Sequence, residues 1–149
     1  MRACFASVGA TSLVVLALLR PTPAAAAIVV NVQLQDPSTA ASVQSMHIAV
    51  DRDSVPAGKV TFRAVNQSKD QVHELIVVRT DPGQMTLPYD EKKGEVIEKR
   101  IHHLGEIADL KPGASGKMTL NLKAGSYFLI CNQPGHYKAG MTAAFTVTK

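Results

Sequence analysis

The stretch YFLICNQPGHYKAGM, residues 127–141, decides how the chain is read. It opens as an apolar run of strand type, Tyr127–Ile130, and passes straight into Cys131. Five residues later comes His136, and five after that Met141. A thiol, an imidazole and a thioether thus fall within eleven residues, on a segment that joins two strands. Pro134 removes a backbone donor and fixes φ, while Gly135 and Gly140 permit the turns that swing three side chains onto one point.

Soft sulfur donors combined with imidazole favour copper, and a trigonal His₂Cys set with a weak axial Met is one of copper's recurring protein sites. The trigonal set needs a second imidazole. His73, in Val72-His73-Glu74-Leu75, is the natural candidate, because it starts an apolar strand and can face the same end of a sandwich. Alone, His73 reads as a structural or exposed histidine and Met141 as core filler. The register of Cys131, His136 and Met141 changes both readings, and the predicted metal ligands are His73, Cys131, His136 and Met141, with no catalytic residue.

Outward from this loop the chain reads as β. Ile28, Val30, Val32 and Leu34 alternate with Asn31 and Gln33; Met46, Ile48 and Val50 repeat the pattern. Val60, Phe62 and Ala64 stand opposite Thr61, Arg63 and Val65, and Met118, Leu120 and Leu122 alternate with Thr119 and Asn121. Val72–Val78 is almost continuously apolar, which suits a central strand buried on both faces. Ser126–Cys131 and Ala143–Thr148 complete the set. Turn residues separate the runs at Pro56-Ala57-Gly58, Pro112-Gly113, Ala124-Gly125 and Pro134-Gly135. Seven to eight short strands so punctuated predict an all-β protein, an antiparallel sandwich or Greek-key barrel. The charged segment Asp81–Leu104 breaks the rhythm. It reads as an excursion outside the two sheets, with one helical turn in Glu95–Arg100 and with Met85 free to cover the site.

The first 27 residues have a different character. Arg2 precedes an apolar stretch at Ala10–Leu19, and Pro21–Ala27 ends in small residues. This is the layout of a secretory signal peptide, too short to span a bilayer. The run of alanines disfavours an uncleaved anchor, and no lipid-attachment signal surrounds Cys4. The expected mature domain is therefore 28–149, in the periplasm or another extracytoplasmic space. Removing Arg2 and Arg20 leaves 14 of the 16 Lys and Arg against 12 acids, with no basic run. That balance gives no case for nucleic-acid or membrane binding. Cys4 leaves as well, so Cys131 has no partner for a disulfide and its thiol needs another purpose.

The pattern Asn66…His73-Glu74, then Gly125–Cys131, then Pro134-Gly135-His136…Gly140-Met141 resembles the cupredoxin (type 1 blue copper) family over roughly Met46 to Val147. The C-x₄-H-x₄-M spacing is similar to that of rusticyanin, sulfocyanin and auracyanin. The resemblance implies a Greek-key sandwich with one copper ion at its end, cycling between Cu(I) and Cu(II), and His136 near the surface as the electron port. It also implies a soluble monomeric one-electron carrier that docks transiently with protein redox partners. Glu74 departs from the pattern: many members place Asn there, tying the two ligand loops together. A carboxylate at that position either lowers the reduction potential or turns to solvent.

Enzymatic readings fare worse. A multicopper oxidase needs His-x-His motifs, and none occurs. A binuclear copper centre needs a second cysteine, and a thiol hydrolase needs an acyl-transfer pocket. The serious alternative is a periplasmic copper carrier or storage protein with the same ligands. His102-His103 suggests a second metal site, but adjacent residues of an extended segment point opposite ways, so solvent-exposed imidazoles are expected there.

Overall fold

The computed structural model describes residues 28–38, 45–84 and 86–149. The leader reading, Cys4 and Met85 fall outside the described residues.

Alternating burial builds two sheets. One has the order β2-β1-β4-β9, from His47–Val50, Ile28–Gln35, Gly58–Asn66 and Ser115–Leu122. The other has the order β3-β11-β10-β5-β8, from Ser54–Pro56, Thr142–Thr148, Gly125–Ile130, His73–Thr80 and His102–Leu110. Val60, Phe62 and Ala64 turn inward from β4 as the sequence predicted, and meet Leu75, Val77, Leu129 and Phe145 from the facing sheet. Phe62 and Phe145 make an edge-to-face contact with centroids 5.4 Å apart, a geometry contributing about 0.5–1.5 kcal/mol beyond burial.

The all-β sandwich is as expected, but three details differ. The sheets are mixed, not purely antiparallel: β1 runs parallel to β4, and β3 parallel to β11. His102–Leu110 is a full strand, so the excursion ends at Ile101. Its pairing with β5 shifts register twice, and Asp109 adopts φ 46°, so no clean alternation marks it. Within the excursion, Tyr89–Asp90 (β6) pairs with Glu95–Val96 (β7), and the helical turn is a 3₁₀ turn at Glu98–Arg100.

The excursion also has a packing role. Leu75 and Val77 of β5 face the sandwich core, while Ile76 and Val78 face a second cluster with Leu87, Val96 and Ile130. Tyr89, Ile101 and Tyr137 pack against that cluster. The segment thus roofs the outer face of the five-stranded sheet, which explains why β5 is apolar on both faces.

Candidate metal centre

Sheet order places the four predicted residues together. β10 lies between β11 and β5, with Ile130 paired to Thr142 and to Ile76. Cys131 therefore leaves the end of β10 beside the first residue of β5, His73, and beside Met141, which precedes β11. The loop between them is locked by its own backbone. The Cys131 N–H donates to Met141 O at 3.1 Å, and the Met141 N–H donates to His136 O at 3.0 Å. Gly135 (φ 83°) and Gly140 (φ 98°) occupy the left-handed region that these turns require.

Three donor atoms converge. His73 Nδ1 and His136 Nδ1 are 3.1 Å apart, and Cys131 Sγ lies 3.9 Å from the first and 3.4 Å from the second. A point in their plane lies about 2 Å from all three, the range of metal–nitrogen and metal–sulfur bonds. His73, Cys131 and Met141 are fully buried and His136 is half-buried, so the imidazole of His136 is the donor nearest to solvent.

Electrostatics suit a metal better than they suit the free groups. Burial pushes the Cys131 thiol up to about 11, against the N–H groups of Gln133 and Glu74 that favour its thiolate. Burial likewise lowers both histidines below their ordinary range; Asp36 partly offsets this at His73, while at His136 the nearby His73 adds to it. Two neutral imidazoles and a thiol are thus held in contact, each with a lone pair that a cation can take.

The surrounding shell is dense. Asn66, fully buried, donates to Gln71 O and Leu110 O and accepts the Ser68 N–H, which shapes the loop entering His73. Glu74 is half-buried and turned toward the site: its carboxylate accepts the Asn132 N–H at 2.9 Å, and its own N–H lies 3.5 Å from Cys131 Sγ. It ties the two ligand segments together as a side-chain acceptor. Burial, reinforced by Glu106, Glu98 and Asp109, raises the Glu74 carboxyl above its usual range.

The excursion clamps the other side of the loop. Gly135 N–H donates to Gly94 O at 2.7 Å, and Leu87 N–H donates to the Tyr137 hydroxyl at 3.0 Å. Asn132 exchanges two hydrogen bonds with the backbone of Val96 and donates to Glu98. A side chain at Gly94 would come within 3.1 Å of the Gly135 nitrogen, and its φ is 74°. These contacts are not legible in the sequence, because most of them involve backbone atoms.

His102 and His103 do not share a site. His102 is exposed, whereas the half-buried His103 sits 3.6 Å from Glu98 and 3.8 Å from Glu106. Asp36 is the residue that sequence reasoning missed. It follows β1, is fully buried, and places Oδ2 3.2 Å from His73 Nε2. No helix among the described residues is long and apolar enough to cross a membrane.

No protein-family model and no curated protein matches the sequence. Solved structures do match its fold. Reduced auracyanin from the photosynthetic bacterium Roseiflexus castenholzii is 22% identical, with a TM-score of 0.56, over 85% of this chain and 100% of that one. Auracyanin A, a "blue" copper protein from Chloroflexus aurantiacus, is 21% identical with a TM-score of 0.56, over 83% of this chain and 100% of that one. Rusticyanin from Thiobacillus ferrooxidans is 16% identical with a TM-score of 0.60, over 82% of this chain and 77% of that one. The sandwich described above is the fold of these proteins.

Proposed function

We propose that this cupredoxin-fold chain holds one copper ion between His73, Cys131, His136 and Met141 and serves as a one-electron carrier, not as an enzyme. The observation that carries the reading is the triangle of two Nδ1 atoms and one Sγ, whose centre lies about 2 Å from each donor. The donor set fits copper: one thiolate and two neutral imidazoles in a plane, with a buried thioether on the same loop. When bound, copper supplies the one-electron couple. The chain supplies the rest.

Its residues hold the donors still. The Met141–Cys131 and Met141–His136 backbone bonds, the Glu74–Asn132 tie and the Gly94–Gly135 contact leave the loop little freedom to rearrange when the charge on the site changes. That rigidity favours electron transfer over a carrier or storage role, in which the donors must open to release metal. Burial of three of the four donors points the same way. The half-buried His136 is the natural exit for an electron toward transient protein partners. Residues 1–27 have the composition of a signal peptide, so the reading includes export, cleavage near Ala27 and work as a soluble monomer outside the cytoplasm.

The test is one spectrum. Loaded with one equivalent of Cu(II), the protein should show an intense visible thiolate-to-copper band that ascorbate bleaches and mild oxidant restores. A colourless Cu(II) complex sinks the assignment. Replacing both His102 and His103 by Ala should leave the stoichiometry at one copper by mass spectrometry and the band unchanged. Loss of a copper equivalent in that variant would instead indicate a carrier with two sites.

A further inference from the structure

Asp36 is not among the proposed ligands, yet among the described residues it is the fully buried carboxylate. One oxygen faces His73 Nε2 at 3.2 Å; the other accepts the Ser38 N–H at 2.9 Å and the Ser38 hydroxyl. Ser68, itself buried, closes the cage from the loop that leads into His73. A buried carboxylate is costly unless hydrogen-bonded, and this one is.

We propose that Asp36 is a positioning residue for the metal centre: it takes the Nε2–H of His73, fixes the tautomer whose Nδ1 lone pair faces Cys131 and His136, and biases the site toward Cu(II). The inference rests on the copper reading and adds to it a group outside the ligand set.

Proton counting assigns the tautomer. A neutral imidazole carries one N–H, and a carboxylate accepts but does not donate. The contact at Nε2 therefore places that proton on Nε2 and leaves Nδ1 as a free donor atom. The two Nδ1 atoms, 3.1 Å apart, have room for a single N–H between them. With His73 as the acceptor, His136 carries the Nδ1–H in the metal-free protein; ligation through Nδ1 would move that proton to Nε2 by exchange with solvent, with no net release from the imidazole. A carboxylate behind a ligating histidine also raises the basicity of its other nitrogen, and losing such a partner costs about 10–100-fold in metal affinity or activity. Because the charge is buried, solvent screens it weakly, and it stabilises the more positive oxidation state of the ion.

The test has two arms on the full chain. In the metal-free protein, ¹⁵N-resolved NMR should find His73 protonated at Nε2, with that proton in slow exchange, and His136 protonated at Nδ1. His73 protonated at Nδ1 overturns the proposal. In the copper-loaded protein, Asp36→Asn keeps a hydrogen-bond acceptor and the shape but loses the charge. It should retain the visible band while the preference for Cu(II) over Cu(I) falls at least tenfold, a rise of about 59 mV in potential. An intact band with an unchanged potential overturns the proposal. If Asp36→Asn fails to fold, the NMR arm on the native chain decides alone. A native chain with no band sinks the copper reading, and NMR still decides whether Asp36 sets the tautomer of His73.

Discussion

Cys131→Ser should strip the visible band completely from the Cu(II)-loaded protein and remove the proton release that accompanies metal uptake. The hydroxyl is nearly isosteric but cannot supply the thiolate from which the charge-transfer transition starts. The second effect follows from burial, which pushes the Cys131 thiol up to about 11. At pH 8 the metal-free site therefore holds a protonated sulfur, and binding must expel that proton. The sign is fixed by competition: below the thiol's pKa each unit of rising pH lowers the proton activity tenfold, so apparent affinity grows roughly tenfold per unit. Calorimetry in two buffers of different ionisation enthalpy reads the proton directly. In Cys131→Ser both the released proton and its share of the pH slope should vanish. Retention of the band in the serine variant would mean that the sulfur is not a ligand at all.

How much of this was legible in the sequence depended on how locally each feature is encoded. Cys131, His136 and Met141 lie on one loop, so residue types and spacing together specify where their side chains can meet. His73 comes from a distant segment and became legible only through the expectation that it starts an apolar strand able to face the same end of the sandwich. The pairing of Ile130 with Ile76 is what fulfils it. β8 was hidden for a physical reason. Gly105 stands in its middle, where a β-carbon would press within 3.0 Å of Leu120, and its register shifts break the two-residue period. The parallel pairing of β1 with β4 leaves no mark in periodicity, since alternation records burial and not strand direction. Asp36 was invisible because a carboxylate after a strand normally marks a turn. Only the fold brings it to His73.

The excursion teaches a related point. Its charged residues suggested an appendage, and Lys138 does pair with Glu91 at the surface, 2.7 Å apart. The anchoring contacts, however, are the Gly135 N–H to Gly94 O and the two hydrogen bonds between the Asn132 side chain and the Val96 backbone. Backbone partners impose little on residue type, so a segment that holds the ligand loop in place looks like filler when read as sequence. Its apolar residues Leu87 and Val96 were the available hint, being too few and too widely spaced to announce a second core.

Met141 gives the most discriminating outcome. Its backbone is bonded to both Cys131 and His136, and its side chain is fully buried, so the main chain and not the thioether fixes the loop. Met141→Leu is close to volume-conserving and should cost less than about 1.5 kcal/mol of stability. If the thioether is a weak axial donor, it tunes the potential more than it supplies affinity. Met141→Leu should then keep copper and colour while the potential rises, because losing a donor disfavours Cu(II). Met141→Gln should lower it, since an amide oxygen is a harder donor that favours the oxidised ion. A tenfold change in the bias between oxidation states corresponds to about 59 mV for one electron, well within reach of voltammetry. If Met141→Leu abolishes copper binding outright, the thioether is a principal ligand and a Cu(I) carrier becomes the better reading. If neither substitution moves the potential, Met141 is core packing. The fourth position then belongs to another group, and Glu74, whose carboxylate accepts the Asn132 N–H beside Cys131, is the first to replace.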